Sequence, residues 1–302
     1  MKHAMMKIAK KTFWAVLAIV ALIMSVAGYQ YLTVAVAPEY DPETMPLNYE
    51  IVGSGDKNMV LIHGLAGSKN YWKRGLEQIT GTHRLLLVDL LGFGDSPKPQ
   101  SEYTLEIQLT ALEKVISAEG FDKGGSLIVG HSMGAIISLA LFEKHPNWFK
   151  GATVIGFPVF ERRDQFLEQM PDGSYFDTLA VGRYGKLFCM LHPLYIVKWF
   201  KPENLTDDVF KDSKKHTWQS YYNSLNEVIL NTNLFVLAKN IRDRKILFIQ
   251  GTVDKLAPYV NVENFASPFT KSKLMRVENG DHQLFLKEPF KVWKAISDFF
   301  DH

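Results

Sequence analysis

The sequence predicts an α/β fold: a mostly parallel sheet with helices on both faces, a helical insertion, and one hydrophobic helix ahead of it all. Three observations carry this. Short, nearly continuous apolar runs alternate with stretches of helical periodicity over most of the chain, and such runs suit parallel strands covered on both sides. The alternation stops between about residues 157 and 240. The first 37 residues hold an uncharged apolar stretch far longer than a strand.

Residues 1–12 form a basic tail. Lys2, Lys7, Lys10 and Lys11 are the only charged residues among the first 37. Residues 13–27 then contain a single hydroxyl, Ser25, and the apolar character resumes after Gln30. A helix over 13–36 spans roughly 36 Å at about 1.5 Å per residue, enough to cross a bilayer. Trp14 lies near one end, and Tyr29 and Tyr31 toward the other, as interfacial aromatics do. The lysines precede the segment, so the positive-inside rule predicts a membrane anchor with residues 38–302 on the extracytoplasmic side. A cleaved signal peptide is the rival reading. It has a basic start, an apolar core at 13–24 and the small-x-small run Ser25-Val26-Ala27, and it predicts a secreted or periplasmic protein. Pro38 to Pro42 reads as an extended linker.

Leu47–Val52, followed by Gly53-Ser54-Gly55, reads as an antiparallel strand entering a turn. Parallel-strand runs follow at 59–62, 84–88, 126–129, 152–155, 246–250 and 273–277, and helical periodicity appears at 104–118, 133–144, 258–266 and 287–301. Alternating β and α implies helices on both sides of the sheet. The stretch 157–240 is aromatic and punctuated by Pro158, Pro171, Pro193 and Pro202. It reads as a helical insertion between two strands.

The strongest chemical signal is Gly130-His131-Ser132-Met133-Gly134, between the strand 126–129 and the helix 133–144. That context is what a G-x-S-x-G nucleophile elbow requires. The turn is tight enough to demand glycine at 130 and 134, and it lifts the serine hydroxyl at the edge of the sheet. A serine needs a base. In this arrangement the chain order is Ser, then Asp or Glu, then His. Asp254 follows the strand 246–250 and His282 follows 273–277, so all three sit at C-terminal strand ends. Ser132, Asp254 and His282 are therefore the expected catalytic residues, with Asp281 too close to His282 in sequence to orient it easily. His63-Gly64-Leu65-Ala66-Gly67 follows the strand 59–62. The backbone N–H of Leu65, paired with that of Met133, is the expected oxyanion hole, and His63 is expected to be a structural hydrogen-bonder. Asp89-Leu90-Leu91-Gly92-Phe93-Gly94-Asp95-Ser96 reads as a glycine-rich turn near the pocket wall; it has neither the Walker spacing nor a dinucleotide fingerprint.

With His63-Gly64, the Asp89-to-Ser96 turn, Gly130-x-Ser132-x-Gly134, Asp254 and His282 in this order, the chain from about residue 45 resembles the α/β-hydrolase superfamily. The resemblance implies an eight-stranded, mostly parallel sheet, a lid inserted after the sixth strand, and no cofactor. The layout of anchor plus lid also resembles the membrane-anchored serine hydrolases similar to monoacylglycerol lipases. The expected activity is a serine esterase or lipase acting on hydrophobic carboxylic esters, with a carbon–carbon bond hydrolase of dienone-type substrates as the alternative. The aromatic insertion favours an apolar acyl chain. Its segments 187–191 and 195–201 offer a second contact with a membrane surface.

Composition sets the outer limits. With 302 residues, 47% hydrophobic and 22% charged, the chain is a folded globular protein, not a disordered one. A net charge of +2 makes no case for nucleic acid. Without the four N-terminal lysines the body carries 30 basic against 32 acidic residues. The lone cysteine, Cys189, excludes an internal disulfide framework and a cysteine zinc site. No metal site is expected, and the partners are an ester or lipid substrate and the membrane.

Overall fold

The computed structural model describes residues 2–169, 179–195 and 201–301. Of the aromatic and proline positions expected in the insertion, Pro171, Tyr175, Phe176, Trp199 and Phe200 lie outside the described residues, as do Ile196 to Lys198. The chain opens with one long helix, α1 (Lys2–Ala35). Ile8–Ala35 is long and apolar enough to cross a membrane, and its most apolar stretch is 0% buried.

Among the described residues, seven strands make one sheet: β1 (Tyr49–Val52), β2 (Lys57–Ile62), β3 (His83–Val88), β4 (Ser126–His131), β5 (Phe149–Ile155), β6 (Ile246–Gly251) and β7 (Ser272–Val277). Their order is β1-β3-β2-β4-β5-β6-β7. Only the β1–β3 pair is antiparallel. This is one strand fewer than the eight that the resemblance implies, and the helical insertion correspondingly follows the fifth described strand. The segment between α1 and β1 forms no strand. There Pro38, Pro42 and Pro46 supply no N–H to a ladder, and the segment makes only the isolated bridge Glu39–Gln100.

The inner strands are buried on both faces, and the alternation is visible residue by residue. Val60, Ile62, Leu86 and Val88 join one hydrophobic cluster, while Met59, Leu61, Leu85 and Leu87 join the other. Helices α2 (Leu105–Ala118) and α3 (Met133–Lys144) cover the first face. The second is covered largely by the C-terminal helix (Pro289–Phe300), through Val292, Trp293 and Ile296. Each fully buried aliphatic side chain contributes about 1.5–3 kcal/mol relative to exposure, so the strands cannot slip by one residue without exchanging faces.

Between β5 and β6 lie short helices: α4 (Arg163–Gln169), α5 (Gly185–Met190), α6 (His192–Tyr195), α7 (Asp207–Asp212), α8 (Trp218–Ser224) and α9 (Leu234–Ala238), with a π-helical turn at Leu225–Leu230. The fold then closes with α10 (Tyr259–Ala266), α11 (Leu284–Lys287) and α12, the helix Pro289–Phe300. The insertion has its own core of Phe166, Ala180, Cys189, Trp218 and Leu225, and Val34 of α1 is part of it. The end of the hydrophobic helix thus packs into the body that follows it.

Candidate active site

The chain passes from β2 outward to β3 and then returns past β2 to β4. The loops after β2 and β4 therefore diverge around a crevice at the C-terminal sheet edge, where open α/β sheets bind their ligands. Ser132 stands at this point, between β4 and α3. Its φ of 54° and ψ of −122° lie where non-glycine residues cost on the order of 1–3 kcal/mol. The surroundings hold it there, with its N–H donating to the Ile155 carbonyl at 2.9 Å. The flanking glycines are forced by contact. A Cβ on Gly130 would stand 2.1 Å from the Gly134 carbonyl oxygen, and one on Gly134 would stand 2.3 Å from that of Ile62.

The structure brings the three expected side chains into one line. Ser132 Oγ lies 2.9 Å from His282 Nε2. His282 Nδ1 lies 2.9 and 3.1 Å from the two oxygens of Asp254. All three are buried, at 9%, 8% and 4% exposure. A carboxylate only accepts, so the proton of neutral His282 sits on Nδ1, and Nε2 is left to accept from the serine hydroxyl. Asp254 is itself held by the Leu256 and Ala257 N–H groups at 3.0 and 2.9 Å and by the Gln250 amide at 2.9 Å. Asp281 faces elsewhere: it accepts from Lys287 Nζ at 2.7 Å and Asn204 Nδ2 at 3.2 Å.

The loop after β2 lies directly against the serine, since a Cβ on Gly64 would come within 3.0 Å of Ser132 Cβ. Gly64 to Gly67 close a turn, with the Gly67 N–H on the Gly64 carbonyl at 3.0 Å and Ala66 at a φ of 55°. Among the described residues no hydrogen bond engages the N–H of Leu65 or Met133, and Met133 opens α3, whose first N–H groups have no intrahelical partner. His63 accepts the Leu90 N–H on Nε2 at 3.0 Å, so Nδ1 donates to the Gly64 carbonyl at 2.7 Å. Both ring nitrogens are spent on loop structure, and burial pushes the imidazole below its ordinary range. The Asp89–Ser96 turn is a structural clasp. Asp89 accepts from the Lys69 N–H at 2.6 Å and the Asp95 N–H at 2.9 Å, and no residue of the turn lines the cavity.

Above Ser132 and His282 opens a cavity of about 310 Å³, walled by side chains of the insertion such as Phe166, Phe188, Val209, Phe210 and Leu225. Among the described residues no lysine, arginine, aspartate or glutamate lines it, and none form a cluster suited to a metal ion.

Sequence reasoning missed several residues around this line. Gln250 bridges Asp254, the Ala257 carbonyl and the Phe157 N–H; only its place at the end of a strand run hinted at it. Tyr71 stacks on His131 with ring centroids 4.5 Å apart, and His131 Nε2 lies 2.8 Å from the His282 carbonyl oxygen. Burial, with His282 adding to it, pushes His131 well below its ordinary range, so the residue beside Ser132 is a neutral brace for the His282 loop.

This fold, with a serine on a strained strand-to-helix turn, defines a class, and the chain belongs to it: residues 57–289 match the alpha/beta hydrolase fold family. The chain is 29% identical over 251 residues to the probable lysophospholipase BODYGUARD 4 of Arabidopsis thaliana, covering 75% of this chain and 60% of that protein. It thus spans about three fifths of the length of that plant relative. Over 98 residues it is 39% identical to lipase 1 of Psychrobacter immobilis, 32% of this chain and 30% of the lipase. An esterase of Exiguobacterium antarcticum superposes with a TM-score of 0.67 at 19% identity, over 85% of this chain and 96% of that one. At that identity the likeness is one of fold.

Proposed function

We propose that this chain hydrolyses carboxylic esters with an apolar acyl group through an acyl-enzyme on Ser132. The observation that carries the reading is the hydrogen-bonded line Ser132–His282–Asp254 at the floor of an apolar cavity. Ser132 Oγ attacks the ester carbonyl carbon as its proton passes to His282 Nε2. The charge on the former carbonyl oxygen is met by the N–H groups of Leu65 and Met133. Asp254 keeps the imidazole in the useful tautomer and stabilises its cation. The C–O bond to the alcohol breaks as His282 returns the proton to the leaving oxygen. Water, deprotonated by the same nitrogen, then attacks the acyl carbon and releases the acid and Ser132.

The lid role of the insertion and the membrane anchor belong to the same proposal. Support for the anchor is the exposed apolar helix Ile8–Ala35 with lysines only on its N-terminal side, and the body 38–302 is then extracytoplasmic. Cleavage after Ala27 remains the competing fate of the segment, and mass spectrometry of the mature N-terminus separates the two.

The test is a fluorophosphonate probe together with p-nitrophenyl esters of graded acyl length, run beside a dienone substrate. Wild type should be labelled, and Ser132→Ala should not be, with kcat down roughly 10⁴–10⁶. Equal labelling of both proteins removes Ser132 from the mechanism, and turnover of the dienone alone moves the reading to carbon–carbon hydrolysis.

A further inference from the structure

The cavity wall is mostly apolar, and its polar side chains include two histidines outside the catalytic line. His192 and His216 both line it. Their rings stack with centroids 4.5 Å apart and planes 29° apart, and both are buried, at 6% and 8% exposure. The two imidazoles are held in the same way. His192 Nδ1 lies 2.9 Å from the Cys189 carbonyl oxygen and His216 Nδ1 lies 2.8 Å from that of Ser213, each three residues back along the chain. A carbonyl oxygen can only accept, so each Nδ1 carries its proton. A neutral ring then presents Nε2 as a bare lone pair. Burial lowers both residues' affinity for a second proton, and in His216 the neighbouring His192 adds to this, bringing it down to about 3. Among the described residues neither Nε2 has a protein partner.

His216 is also fixed against the chemistry. Four residues before it, Asp212 accepts from Ser68 Oγ at 2.7 Å and Asn70 Nδ2 at 2.6 Å, and pairs with Lys215 Nζ at 2.9 Å. Ser68 directly follows the 64–67 turn that lies against Ser132. The segment 212–216 is therefore latched to that same loop, and the stacked pair keeps a set position relative to the nucleophile.

We propose that His192 and His216 form an acceptor site for hydroxyl groups on the alcohol half of the substrate, so that the enzyme takes esters of neutral polyols in preference to phosphate-bearing esters. Two lone-pair nitrogens in an apolar wall recognise O–H donors. An alcohol lacking a second hydroxyl leaves them unpaired once its ester fills the cavity, which is costly. A phosphate group on the alcohol half adds acceptors and negative charge in place of a hydroxyl, and no lysine or arginine lines the described cavity to receive it. The proposal deepens the ester-hydrolase reading and rests on it for the reaction.

The experiment has a catalytic arm and a binding arm. Monooctanoylglycerol and methyl octanoate share one acyl chain, and wild type should prefer the glycerol ester in kcat/KM. His216→Phe and His192→Phe should cut that preference about tenfold, the worth of one hydrogen bond to a buried partner, the readout being the ratio of the two kcat/KM values. His216→Gln, whose amide can donate to Ser213 and still accept, should recover part of it. An equal fall on both esters would make the pair merely structural and overturn the proposal.

The binding arm uses Ser132→Ala and non-hydrolysable ethers, and stands even if wild type hydrolyses neither ester and the reaction assignment fails. Calorimetry should find 1-O-octylglycerol bound about tenfold more tightly than octyl methyl ether, with the gap closed by His216→Phe. Equal affinities, or tighter binding of an octyl phosphocholine, would overturn the acceptor site.

Discussion

The indole N–H of Trp218 donates to the main-chain carbonyl of Gln30 at 3.1 Å, a bond between residues 188 positions apart. It joins α8 of the insertion to the end of the hydrophobic helix, one turn before Val34, which is 5% exposed and packed with Phe166 and Cys189. The wall of the cavity is thus partly supported by the segment that also reads as an anchor.

A chain starting at Gly28 keeps Gln30 and Val34; one starting at Pro38 loses both. Burial of an aliphatic side chain contributes about 1.5–3 kcal/mol and a hydrogen bond about 1 kcal/mol. We expect the Gly28 form to keep the full-length melting temperature and the Pro38 form to melt lower, with a larger loss on long-chain than on short-chain esters. Identical melting and identical chain-length profiles would mean that the helix only rests on the insertion.

Asp254→Asn should lower kcat by about 10⁴, the loss that follows when a triad aspartate becomes an amide and the imidazole takes the wrong tautomer. Asp281→Asn should do far less, because that carboxylate serves Lys287 and Asn204. Gln250→Leu should fall between the two, since it removes one donor to Asp254 and the acceptor for the Phe157 N–H. Steady-state kinetics on a short ester rank the three, and a larger effect at Asp281 would identify the wrong carboxylate.

Gly134→Ala should destabilise the fold by about 3 kcal/mol or more, because a methyl 2.3 Å from a strand carbonyl must displace backbone. Gly81→Ala is the control, with open space around its Cβ position. Urea unfolding should separate the two variants; equal midpoints would refute the contact argument.

Acid should weaken the fold through its buried imidazoles. His63, His131 and His216 are all held below the ordinary histidine range, chiefly by burial. Unfolded, each protonates near pH 6.5. The unfolded chain therefore binds more protons below that pH. Stability is full above about pH 6.5 and declines as pH falls toward the folded values. The urea midpoint should drop steadily from pH 6.5 to 4, and His216→Phe should reduce the proton uptake on unfolding at pH 5 by about one. A midpoint flat across that range would show that these rings are protonated in the folded chain.

Much of this was legible in the residues themselves. Apolar runs such as 84–88 and 246–250 became β3 and β6 because a strand buried on both faces needs nearly every residue apolar. Ser132 was legible because only glycine tolerates the contacts at 130 and 134, and that restriction leaves a mark in sequence. The order of Ser132, Asp254 and His282 located three residues at the C-terminal ends of three strands of a parallel sheet, which local pattern and topology rules together determine.

What only the tertiary structure decided are relationships between surfaces distant in sequence. Nothing local to Gln30 or Val34 announces that they complete the core of an insertion nearly 190 residues later. Asp212 reads as an ordinary helix-end aspartate until Ser68 and Asn70 are seen on it. His192 and His216 carry no motif. Their chemistry comes from a stacking distance and two carbonyl bonds, set by how short helices pack. Backbone propensity and hydrophobic period act over a few residues and are written in order along the chain. Protonation, acceptor geometry and cavity polarity depend on which groups meet after folding, so they first exist when the chain has closed on itself.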